Sequence, residues 1–139
     1  MSHTIATKAF SEIEQSTSVS LLAQLYAALV TLELLAKDRL VQTGSWIAGH
    51  NVVAMLNHID GTLAPLSIRL SSNLCILICT SRDGRGVPVD PAKYPDLRYL
   101  RHDGDQPAWP QSTTDAALKS ALGDARQCLQ QLKTLGIHP

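Results

Sequence analysis

The sequence predicts an all-α fold, a compact bundle of about five helices with one long turn-rich segment at residues 82–112. Three observations carry that prediction. Apolar residues recur at helical spacing over residues 19–41 and again over 113–135. Glycines and capping residues fall where those periods start and stop. Only one short stretch, NLCILICT, has the apolar, β-branched character of a strand, and the rest of the chain offers it no comparable partner.

The first helix expected runs from about Thr4 to Gln15, on a stripe of Ile5, Ala9, Phe10 and Ile13. Ser16 to Ser18 supply caps, and a second helix spans Val19 to about Val41. Val19, Leu22, Leu25, Leu29, Leu32, Ala36 and Leu40 form its seam, and Leu21, Val30 and Leu34 widen the apolar face. A face that wide is touched from several sides, so this helix is the expected centre of the bundle. Lys37 and Arg39 near its end suit the helix dipole, and Gly44 marks its stop.

A third helix is expected to begin around Ser45 to Gly49 and to close at Asp60-Gly61, packing through Val52, Val53, Leu56 and Ile59. Pro65 then falls in a first turn, where its missing N–H costs nothing, and a fourth helix is read through Ile68, Leu70, Leu74, Cys75, Leu77 and Ile78. Residues 73–80 are the strand-like stretch; they are read as helix, with Cys75 and Cys79 as buried thiols on its apolar face. Residues 82–112 hold DGRG, prolines and a second Asp-Gly, and a short helix at about 92–101 fits inside them. The last helix starts at Thr113 or Thr114, runs through Leu118, Leu122, Ala125, Leu129 and Leu132, and ends at Gly136.

Composition narrows the function classes. The 139 residues suit one domain, residues 1–139. Twelve acidic and twelve basic residues cancel, so the broad positive field of a nonspecific nucleic-acid binder is missing. The N-terminal residues lack the apolar core of a signal peptide, and Gln24, Thr31 and Glu33 interrupt the longest apolar run, so no membrane association is expected. Three cysteines, an odd and sparse set, fit a reducing cytoplasm.

Several polar residues stand out against this background. Glu33 lies among Val30, Leu32, Leu34 and Leu35, where a carboxylate needs a partner; His50, Arg69 and Arg98 are the candidates. His50 and Asn51 fall together in what is read as a first helical turn. Polar chemistry is densest from Asp96 to Trp109, where Arg98, Arg101 and His102 are candidates for gripping a phosphate or moving a proton, with Tyr99 and Trp109 for stacking. Asp96, Asp103 and Asp105 are placed to neutralise those arginines. Trp46, Tyr99 and Trp109 are candidate interface anchors. The histidines are too scattered to form a metal site, SRDGRG lacks the lysine and hydroxyl of a phosphate loop, and no cofactor is implied.

The segment LVTLELLAKDRLVQTGSWIAGHNVVAMLNHI resembles the core of HEPN-type domains. These are small helical bundles of prokaryotic defence, toxin–antitoxin and nucleotide-linked systems. Glu33, Lys37, Gly44, His50 and Asn51 look like the family's Glu and Lys, glycine-containing loop and His-Asn pair, and Arg98-Tyr99 is similar to an Arg-Tyr element before its last helix. Many members are ribonucleases with an Arg-x4-6-His spacing. Here Arg98 and His102 have three residues between them, which departs from that pattern. The resemblance therefore implies a non-enzymatic interaction protein of a prokaryotic mobile-element, defence or toxin–antitoxin type system. It would form a dimer, with a heterologous protein as a further partner. The alternative is an RNA- or nucleotide-directed enzyme or binding module that uses the Arg98–His102 segment.

Overall fold

A computed structural model describes residues 21–80, 85–99 and 115–138, with the side chains of Thr80, Arg98 and Tyr99 left aside. The chain is an all-α bundle with one small hairpin. In order, the described elements are α1 (Leu21–Gln42), α2 (Val52–Ile59), a 3-10 turn (Gly61–Leu63), α3 (Ala64–Ile76), β1 (Ile78–Thr80), β2 (Gly86–Pro88), a 3-10 segment (Pro91–Tyr99) and α4 (Asp115–Thr134).

The width of the apolar face on α1 has the predicted consequence. Its buried residues include Leu25, Ala28, Leu29, Leu32, Leu35, Ala36 and Leu40, which run around much of the helix. Helix α4 covers one side, α2 another, and the 3-10 segment a third. Helix α4 contributes Leu118, Ala121, Leu122, Ala125, Cys128 and Leu132, and α3 packs between α4 and α2. Burial pushes the Cys128 thiol up to about 11, so it behaves as a small apolar filler.

Both long helices stop in the same way. At the end of α1, Ser45 N–H donates to Leu40 O at 2.8 Å and Gly44 N–H to Val41 O at 3.1 Å. At the end of α4, Ile137 N–H donates to Leu132 O at 2.8 Å and Gly136 N–H to Lys133 O at 3.0 Å. Each is a Schellman cap, and Gly44 and Gly136, at φ of 77° and 83°, hold the left-handed position it requires. Ile137 turns back into the core beyond its glycine.

Three boundaries differ from the sequence reading. Helix α2 begins at Val52, since residues 45–51 form a loop that turns at Gly49 with φ of 82°. His50 therefore precedes the helix and does not lie in its first turn. The helix read through Ile78 ends at Ile76, and Ile78, Cys79 and Thr80 pair antiparallel with Pro88, Val87 and Gly86. Val89 N–H extends that pairing by donating to Leu77 O at 2.9 Å. A partner seventy-eight-to-eighty needed was thus present in GVP, a segment hidden by its glycine and proline. Because the backbone changes there, Cys75 is exposed while Cys79 is buried, so the reading of both as buried thiols is half corrected. The short helix expected near residues 92–101 is a 3-10 segment over Pro91–Tyr99, kinked at Lys93, where φ is −130° and ψ is 42°. Pro95 lacks the N–H a regular helix would use there.

Candidate functional site

The charged residue that α1 buries is Glu33, and the fold gathers donors around it from three places. Glu33 is 6 % exposed. From one turn further along α1, Lys37 Nζ donates to Oε2 at 2.7 Å. From the 3-10 segment, Tyr94 Oη donates to Oε1 at 2.7 Å. From the loop before α2, His50 Nδ1 lies 2.9 Å from the same Oε1. A carboxylate that is ionised only accepts, so His50 Nδ1 is the donor in this contact.

The electrostatics follow from these contacts. Burial by itself would raise the Glu33 carboxyl, but the donors Lys37, Tyr94 and His50 and the charge of Lys37 outweigh it, and the group sits below its ordinary 4.5. Tyr94 moves the other way: burial first, then its bond to the Glu33 carboxylate, hold its phenol far above the usual range. Glu33 is therefore an anion at neutral pH and Tyr94 a neutral donor.

Rings and turns hold the donors in place. The His50 ring meets Tyr94 edge-on with centroids 5.8 Å apart, and the Tyr26 ring of α1 packs on Tyr94 at the same centroid distance, 5.8 Å, tilted by 58°. Lys37 Nζ, while bound to Glu33, also stands 5.6 Å from the centre of the Trp46 indole. Trp46 itself is 59 % exposed. Asn51 caps α2, its Oδ1 accepting from Ala54 N–H at 3.0 Å, which fixes the chain immediately after His50. His58 reaches back to Ser45, with Nε2 3.3 Å from Oγ, and braces the same loop.

Glu33, His50 and Asn51 are thus neighbours through α1 and the entry to α2. Arg69, offered as a partner for Glu33, lies on α3 and donates instead to Gln127 Oε1 at 3.2 Å. The Arg98 and Tyr99 side chains, Arg101, His102 and Trp109 lie outside the described residues. Two of the partners of Glu33, Lys37 and Tyr94, were not named as its partners from the sequence. Lys37 reads as a charge suited to a helix end, although its spacing from Glu33 is the ordinary helical pair. Tyr94 carries no periodic signal, because it belongs to an irregular segment folded back on α1.

Two other polar contacts tie helices together away from this cluster. Asn73 of α3 donates to the buried Asp124 of α4. Ser67 Oγ of α3 donates to Asn57 Oδ1 of α2 at 2.5 Å. Among the described residues, no three His, Cys, Asp or Glu side chains gather as a metal ion would require. Among them, too, no helix is long and apolar enough to cross a membrane. No family model, curated protein or solved structure matches the chain.

Proposed function

We propose that the chain is a HEPN-like helical interaction protein, non-enzymatic, of a prokaryotic mobile-element, defence or toxin–antitoxin type system, acting in the cytoplasm as a dimer. The observation that carries this reading is the saturation of Glu33. Both carboxylate oxygens accept from side chains of this same chain, three donors in all. Of the residues that support the family resemblance, Lys37 and His50 both bond to Glu33, Asn51 caps a helix, and Gly44 ends one. These polar groups work on the fold, which leaves the protein's surface to act on its partners.

One observation favours the second reading, an RNA- or nucleotide-directed module. The His50 ring is half-exposed while bonded to Glu33, and Lys37, bonded to the same carboxylate, stands against the exposed Trp46 indole. The deciding experiment is light scattering over a dilution series, with and without total RNA. The interaction reading expects twice the 15.0 kDa chain mass at high concentration, unchanged by RNA. A rise in mass with RNA, or RNA degraded during the run, contradicts it and makes His50→Ala and Arg98→Ala the next variants.

A further inference from the structure

The loop that joins α1 to α2 is fixed at its ends and lightly held between them. The Schellman turn at Gly44 closes α1, and the Asn51 side chain accepts from Ala54 N–H to start α2. Between these caps none of residues 45–50 is buried, and Ile47 packs only partly against the core. A loop with so little apolar anchorage opens locally at small cost unless polar contacts hold it. Those contacts converge on one carboxylate. His50 Nδ1 donates to Glu33 Oε1 at 2.9 Å. Lys37, whose Nζ donates to Glu33 Oε2 at 2.7 Å, stands 5.6 Å from the centre of the Trp46 indole. His58 adds a longer tie, with Nε2 3.3 Å from Ser45 Oγ. His50 and Trp46 are both more than half exposed, so water competes for each contact. Gly44 and Gly49, at φ of 77° and 82°, stand on either side of Trp46 and give the backbone there its freedom to turn.

We infer that residues 45–50 form a lid over Glu33, latched by the His50–Glu33 bond, which swings between its two capped ends while the helices stay folded. The inference goes beyond the interaction reading above and does not depend on it. Opening takes from Oε1 the one donor that the loop supplies. Tyr94 and Lys37 stay on the carboxylate, because they come from the 3-10 segment and from α1 itself. The lid therefore controls the access of water to the buried carboxylate of α1, and His50 sets how often it opens. Its motion belongs to the loop range of nanoseconds to microseconds, well apart from unfolding of the bundle.

The test uses the full chain and follows Trp46, which rides on the lid. Trp109→Phe leaves Trp46 the sole tryptophan, and the decay of its fluorescence anisotropy separates its own motion from the tumbling of the protein. In that background Trp46 is held and the fast component of the decay is small. His50→Ala, a change at a half-exposed position that leaves the circular dichroism spectrum intact, raises the amplitude of that component about twofold. It also speeds hydrogen exchange at Val52 N–H, which donates to His50 O at 2.9 Å. Tyr94→Phe removes a donor from the same Oε1 but not from the lid, so it lowers the unfolding temperature and leaves the motion of Trp46 as it was. A Trp46 already free in the presence of His50 overturns the closed lid. Motion unchanged by His50→Ala overturns the latch. A rise of equal size in Tyr94→Phe marks a loosening of the whole cluster and overturns the assignment to His50. None of these outcomes bears on the mass measurement that tests the interaction reading.

Discussion

Two regions of this molecule reverse the usual arrangement of apolar inside and polar outside, and they do so in opposite senses. Around Glu33 a carboxylate is buried and all of its partners are supplied by the chain itself. Along the outer side of α3, Ile68 and Ile76 are exposed, and among the described residues neither is covered to the depth of a core residue. The first region is closed and the second is open. A buried polar group that is fully bonded organises a fold; an apolar side chain left in water adds little to it. The difference teaches that polar residues singled out by sequence need not mark where a protein acts.

The largest effect expected is from Glu33→Ala. It strands the buried Tyr94 hydroxyl and leaves Lys37 and His50 without their anion, at a cost of about 3 kcal/mol in unfolding free energy, read by urea denaturation. If the loss were a few tenths, the closed region would not be organising the fold. Tyr94→Phe comes next, removing one charge-assisted donor from the carboxylate at about 2 kcal/mol by the same measurement. His50→Ala is expected to cost less, about 1 kcal/mol, since the imidazole is half-exposed and its bond is weakened by water. Smallest is Ile68→Glu, whose effect on unfolding stays within about 0.5 kcal/mol. A larger loss would contradict the openness of that region.

Acid sharpens the same contrast. The Glu33 carboxyl is held below its unfolded value of 4.5, so its contribution is present above that value and disappears as the pH falls through the lower folded one. Glu33→Gln lacks this dependence. The stability gap between wild type and Glu33→Gln is expected to be widest near neutral pH and to close as solutions are taken below about pH 4. A gap that stayed constant would mean the carboxylate contributes by shape alone.

The long helices were legible because period and punctuation agree in them. Leu25, Leu29, Leu32 and Leu40 give the stripe of α1 and Gly44 its stop; Leu118, Leu122, Ala125 and Leu132 do the same for α4. The ICT strand was obscured because its partner is GVP, and a glycine and a proline at a strand's ends suppress the sequence signal that pairing would otherwise give. At the candidate site, the need of Glu33 for a partner was readable from its apolar neighbours, and His50 was named among the candidates. Tyr94 was not, since it stands sixty-one residues away in the chain, in a segment without periodicity. The outer stripe of α3 escaped for a different reason. Ile68 was read as part of the packing face of this helix, and only the burial of Leu70 and Leu74 shows that it was left on the other side.

The measurement that tests this account most directly sets Ile68→Glu beside Glu33→Gln, following the thermal unfolding of both against wild type. The account predicts that Ile68→Glu unfolds as wild type does and that Glu33→Gln unfolds at lower temperature. The opposite pattern, with Glu33→Gln at full stability and Ile68→Glu destabilised, would contradict the assignment of the closed region to the fold and of the open one to solvent.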